Sequence, residues 1–166
     1  MIEGRVVKAV GDDVSTDIIY PGRFMATVLP SETPQYAFAD DVAFNRALRA
    51  GDVPAGSVLV AGKNFGCGSS REQAASCLKG YDVTVVARNF ARIFLQNAIN
   101  LGLRMVICPT LEAKEGDILA FRDGGVVNKT TGASFPVVPL PKARQAIIDA
   151  GGLIPYTRRL LLSKPA

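Results

Sequence analysis

Residues 58–79 constrain the fold of this chain more than any other stretch. A short apolar run (Val58, Leu59, Val60, Ala61) ends in a loop with glycines at 62, 66 and 68, and a helical stretch from Glu72 to Lys79 follows. Strand, glycine loop and helix in that order form the opening of a crossover unit in a parallel sheet. The same arrangement makes a nest of backbone amides at the positive end of a helix dipole, suited to an anion. The pattern then repeats. Val83 to Ala87 is a buried-strand run, and Phe90 to Asn100 puts Phe90, Ile93, Phe94, Ala98 and Ile99 on one helical face. Gly102 stops that helix, and Leu103 to Cys108 forms another strand. The order implies a parallel core with right-handed crossovers.

The flanks differ. Ile2 to Val10 is expected to be a strand turned by Gly11-Asp12-Asp13, with residues 14–22 a loop punctuated by Pro21-Gly22. Residues 35–50 have helical spacing. Beyond Pro109, short strands over 117–121, 125–128 and 133–138, joined by Gly-rich turns, predict an antiparallel region. Helices over about 141–150 and 153–162 follow. We expect one α/β domain over residues 1–166, a mixed sheet with flanking helices.

Composition narrows the function. The net charge of +4 is scattered, apart from Arg158, Arg159 and Lys164, and no aromatic stacking platform accompanies it. Nucleic acid is therefore not an expected partner. No apolar run is long enough to cross a membrane, and the N-terminus lacks a signal-peptide layout, so we expect a cytoplasmic protein. There is no histidine, which removes the usual general base and the commonest metal ligand. Cys67, Cys77 and Cys108 are spaced by 10 and 31 residues, without the close pair an iron–sulfur site uses. Cys77 and Cys108 fit as buried small hydrophobes, and Cys67, inside the glycine loop, is also assigned to packing.

Three clusters each have a functional and a structural explanation. Ser69, Ser70 and Arg71 can add two hydroxyls and a planar cation to the nest, for a small carboxylate or phosphate. Structurally, either serine is a helix N-cap, with Glu72 or Gln73 completing a capping box. Capping explains neither the three glycines nor an arginine where the dipole disfavours a cation. Asp12, Asp13 and Asp17 could orient a base or hold a metal, but acidic residues near glycine commonly form solvated turns. Arg88, Asn89, Arg92, Gln96, Asn97 and Asn100 give a polar helix face, either solvated or the rim of an interface.

Three segments in order are more specific than any of these clusters. They are G-D-D-V-S-T-D-I-I at 11–19, A-G-K-N-F-G-C-G-S-S-R-E-Q-A at 61–74 and A-R-N-F-A-R-I-F-L-Q-N-A-I-N-L-G at 87–102. Together with A-G-G-L-I-P-Y at 150–156, they resemble the small subunits of 3-isopropylmalate dehydratases, the swivel domains of the aconitase superfamily. The resemblance implies a compact β/β/α swivelling domain that works with a separate large subunit. That partner carries a 4Fe–4S cluster on its own three cysteines, so no cofactor and no metal is expected on this chain. The implied reaction is dehydration and rehydration of a hydroxy diacid, interconverting 2- and 3-isopropylmalate in leucine biosynthesis.

Matched by position, the resemblance makes Ser69 the base, Asp17 a catalytic support, and Ser70 and Arg71 contacts to the substrate carboxylate. Substrate choice is assigned to the loop after Pro21, with Phe24, Met25 and Ala26 suited to a branched alkyl group. Relatives acting on homoaconitate align an arginine with Ala26, and Arg23 could compensate if the loop bends. Dimethylmalate, citramalate and homoaconitate dehydratase subunits remain as alternatives, as does a non-catalytic carboxylate-binding module.

Overall fold

In the computed structural model, which describes residues 2–163, seven strands form a mixed sheet in the order β4-β3-β2-β1-β5-β6-β7. Strands β1 (Ile2–Ala9), β2 (Val58–Ala61), β3 (Thr84–Ala87) and β4 (Arg104–Ile107) run parallel. Strands β5 (Ile118–Arg122), β6 (Gly125–Asn128) and β7 (Ser134–Pro136) extend the sheet antiparallel from β1. Strand β1 joins the halves. Its first residues, Ile2 to Arg5, pair with β5, and its later ones, from Val6 on, pair with β2 across an irregularity between Val6 and Lys8.

Every residue of β2 and β3 is buried. That is why these strands are near-continuous apolar runs, with Thr84 the one polar residue, and not alternations. Successive side chains go to opposite faces. Leu59, Ala61, Val85 and Ala87 join a large core with Phe44, Leu78, Phe94 and Ile99 from the helices. Val58, Val60 and Val86 join a smaller one with Cys108, Leu119 and Val126. Burying one such aliphatic side chain contributes about 1.5–3 kcal/mol, so both cores hold the parallel strands and the loops at their ends.

The helices are α1 (Thr16–Ile19), α2 (Val42–Ala50), α3 (Glu72–Gly80), α4 (Arg92–Leu101), α5 (Lys142–Asp149) and α6 (Leu153–Leu162). Three expectations are corrected. The segment 14–22 is not all loop, because Ser15 caps the single turn of α1 by accepting from the Ile18 amide. The helix expected over 35–50 is confined to α2. Phe38 has φ 50°, which breaks a right-handed helix, and the Asp41 carboxylate caps a new start by accepting from the Phe44 amide. Ile93 is exposed, so the buried face of α4 is carried by Phe94, Ala98 and Ile99.

Candidate active site

The glycine loop leaves β2 and is clamped from three directions. The Lys63 amide donates to Asp12 Oδ1 (2.7 Å), and Asn64 Nδ2 donates to Asp13 Oδ1 (2.8 Å). The Gly66 amide donates to the Val14 carbonyl (2.8 Å), and the Thr16 amide donates to the Cys67 carbonyl (2.8 Å). From the α4 side, Asn89 Oδ1 accepts from the Asn64 amide (2.5 Å), and Asn97 Nδ2 donates to the Ser70 carbonyl (3.2 Å). Asp12 and Asp13 are therefore loop fasteners. Two amides of the polar face around α4 are fasteners too.

The glycines follow from this geometry. A Cβ on Gly62 would collide with Asp12, and one on Gly66 with the Phe94 ring. Gly68 has φ 96°, a conformation that side chains rarely adopt. Packing accounts for the first two glycines without any ligand.

The loop delivers Ser69, Ser70 and Arg71 to the start of α3. Ser69 and Ser70 are exposed. Neither caps the helix: its N-cap is Arg71, without a side-chain cap bond. The capping box expected with Glu72 or Gln73 does not form, and the first-turn amides have no side-chain acceptor. Instead Ser69 Oγ lies 3.0 Å from Thr16 Oγ1.

Arg71 turns toward α1. Its Nη1 donates to Asp17 Oδ1 (2.5 Å) and to the Tyr20 carbonyl (3.3 Å). The Gly22 amide donates to the same Asp17 oxygen (2.9 Å). The arginine expected to need an outside anion thus has Asp17 beside it. In return, the Arg71 guanidinium, and after it the Gly22 amide, hold the Asp17 carboxyl below its ordinary value. The Arg71 Nε is buried and has no acceptor.

The loop after Pro21 is fixed at its root. The Phe24 ring stacks on Tyr36, with centroids 4.1 Å apart. The Tyr20 hydroxyl donates to the Phe24 carbonyl (3.0 Å). Arg23 bridges to both oxygens of Asp40 and lies over the Phe24 ring, so its charge is already paired. Gln73 Nε2 donates to the Met25 carbonyl (3.3 Å), tying the loop to α3. The tip is open: Met25 is 47%, Val28 65% and Leu29 54% exposed, and Ala26 is exposed too. Phe24 therefore belongs to the loop's foundation, whereas Met25 and Ala26 are at its surface. Sequence reasoning missed Thr16 and gave Asn89, Asn97 and Gln73 other roles, as a polar helix face and a capping partner. The amide-rich face beside a glycine loop was the one signal that pointed toward any of them.

The three cysteines lie apart. Cys77 sits within α3, where burial pushes its thiol up, and its Sγ donates to the Ala74 carbonyl. Cys108 Sγ donates to the Pro136 carbonyl, and Cys67 lies half-buried in the loop. Among the described residues no group of three His, Cys, Asp or Glu side chains could hold a metal ion. The described residues do not fit an iron–sulfur cluster.

The parallel half of the mixed sheet thus carries a serine–serine–arginine loop onto an aspartate latch. A model of the Aconitase C-terminal domain matches residues 33–109, which include that loop. The 3-isopropylmalate dehydratase small subunit of Methanosarcina mazei is 43% identical over 96% of this chain and 98% of its own length. The isopropylmalate/citramalate isomerase small subunit of Methanocaldococcus jannaschii is 41% identical over 96% of this chain and 95% of its own. The crystal structure of a 3-isopropylmalate dehydratase from Methanocaldococcus jannaschii superposes with TM-score 0.86 at 39% identity, covering 97% of this chain and 95% of that one. The chain belongs to the 3-isopropylmalate dehydratase small-subunit family.

Proposed function

We propose that this chain, folded as one swivel unit, is the small subunit of a 3-isopropylmalate dehydratase and supplies the base side of a shared active site. The observation that carries this is the exposed Ser69 hydroxyl at the uncapped head of α3, next to the Arg71–Asp17 latch. Ser69 removes the proton from the carbon next to a carboxylate. The C–H pair becomes the C=C bond, and hydroxide leaves from the neighbouring carbon. Rehydration adds the two groups back in the opposite sense.

A serine hydroxyl is a weak base near neutral pH, so its alkoxide needs preorganised donors. The free first-turn amides of α3 and the Arg71 cation, held in place by Asp17, fill that role once the site is closed from water. Ser70 and Arg71 receive the substrate carboxylate. This chain binds no cofactor itself. The 4Fe–4S cluster, which would supply Lewis acidity at the leaving hydroxyl, belongs to the large subunit. With Ser69, Ser70, Met25 and Ala26 all exposed, the site is one half of a cleft that the large subunit closes.

Met25 and Ala26, with Val28 and Leu29 beside them, offer the alkyl group of isopropylmalate an apolar surface. Arg23 engages both terminal nitrogens on Asp40, whereas Arg71 uses only Nη1 on Asp17, so Arg23 has no free pair of donors for the extra carboxylate of homoaconitate. Citramalate is the second substrate we retain, because a relative at 41% identity is named for both activities. Neither nucleic acid nor membrane is a partner in this scheme, which operates in the cytoplasm. Among the described residues no helix is long and apolar enough to cross a membrane. Co-expression with the cognate large subunit and assay of a diacid panel tests the proposal. Isopropylmalate turns over fastest; faster turnover of homoaconitate removes the substrate assignment. Strong carboxylate binding by the isolated chain, with no activity in the complex, points to a binding module instead.

A further inference from the structure

We propose that Thr16 is the positioning residue for the Ser69 base, donating its hydroxyl hydrogen to Ser69 Oγ and stabilising the alkoxide form; this rests on the assignment of Ser69 above. Thr16 is 2% exposed, and its Oγ1 lies 3.0 Å from Ser69 Oγ. A buried hydroxyl hydrogen needs an acceptor. Thr16 is the first residue of α1, so it has no preceding helical turn whose carbonyl its hydroxyl could use. Among the described residues its side chain bonds to Ser69 alone.

The direction of the bond follows. Thr16 has no water to donate to, whereas Ser69 is exposed and can turn its own hydrogen outward. Thr16 is the donor, Ser69 Oγ the acceptor. The serine proton is then free to leave toward the open side, and the oxygen left behind keeps a donor already aimed at it. Such a bond strengthens when its acceptor becomes charged.

The backbone holds this donor rigidly. The Thr16 amide donates to the Cys67 carbonyl in the serine's own loop, and the Thr16 carbonyl accepts from the Tyr20 amide, both at 2.8 Å. Gly68, with φ 96°, passes close to the hydroxyl: a Cβ there would lie 3.5 Å from Thr16 Oγ1. The charged and titratable groups around the pair are Asp17 on α1, Cys67 in the loop, and Arg71 and Glu72 at the start of α3. Asp17 and Arg71 are paired with each other, and the nearby Arg23 is paired with Asp40. Helix α4 presents the neutral Asn97 to the loop.

The test compares Thr16→Val, Thr16→Ala and Thr16→Ser with Ser69→Ala, all in the complex with the large subunit. Thr16→Val keeps the volume and removes the donor. We expect its kcat to fall about a hundred- to a thousandfold with KM within about twofold, the scale of losing a preorganised donor. The ascending limb of its kcat/KM–pH profile moves to higher pH. Thr16→Ser restores kcat to within threefold and returns the limb. If Thr16→Val does not fold, Thr16→Ala is judged by the same criteria; if neither yields an assembled complex, Thr16 is structural and the inference fails. It also fails if the hydroxyl-less variants keep parental kcat and pH profile while Ser69→Ala is inactive. An active Ser69→Ala overturns the assignment of the base itself, a separate outcome.

Discussion

The two loops that meet at the head of α3 are built on opposite plans. The serine loop is fastened along its length by Asp12, Asp13, Val14, Thr16, Asn89 and Asn97. The loop after Pro21 is anchored at its root by Tyr36, Tyr20 and Asp40, with the Gln73 bond to the Met25 carbonyl and a long Tyr20 hydroxyl bond to the Thr27 carbonyl (3.4 Å) reaching its middle. Its tip exposes Met25, Val28 and Leu29. Proton abstraction needs an oxygen held to a fraction of an ångström, which rigid fastening provides. Under the proposed function, choosing between substrates that differ by an alkyl group needs apolar surface, and the exposed tip offers it. The proposed function thus assigns chemistry and selectivity to neighbouring segments that are fastened to different degrees.

The largest expected effect comes from breaking the rigid loop. Gly66→Ala forces a Cβ into Phe94 at φ 82° and should cost about 3 kcal/mol or more in stability, read from thermal and denaturant unfolding. Unfolding indistinguishable from the parent would mean that the loop is less fixed than its bonds imply. Next is the latch. Asp17→Asn removes the anion beside Arg71, and in the assembled complex should lower turnover ten- to a hundredfold, with little change in melting temperature because the carboxylate is exposed.

Smaller again is Tyr36→Ala, which deletes the ring under Phe24. A stacked pair is worth about 0.5–1.5 kcal/mol beyond its buried area. Amide exchange should rise in residues 22–29, KM should change several-fold, and kcat should stay near the parent's; equal losses in both constants would erase the division between the loops. The smallest effect is a titration. Because the Arg71 bond lowers the Asp17 pKa, the stabilisation from this contact is complete above the ordinary carboxylate value and is lost only as pH falls through the lowered one. A carbon-detected NMR titration should find the Asp17 midpoint below those of solvated aspartates.

The parallel half of the sheet could be read from the sequence because β2 and β3 are buried on both faces, so their apolar runs are near-continuous, with Thr84 the polar exception. The serine loop stood out through its glycines and its Ser-Ser-Arg. The reasons for those residues did not. Gly62 and Gly66 answer to Asp12 and Phe94, and Arg71 answers to Asp17, 54 positions earlier in the chain. Such dependencies are set by tertiary approach, which local patterns do not encode. The overlong helix over 35–50 has the same origin: helical composition continues through Phe38, but the Ile19 carbonyl takes its amide and φ turns positive.

Ser69→Ala in the complex with the large subunit probes the central claim most directly, with exchange of substrate C–H for solvent deuterium as the readout beside product formation. The account predicts that both fall by about a thousandfold or more, while the complex still assembles and still binds the diacid. Exchange and turnover at the parent's rate would contradict it.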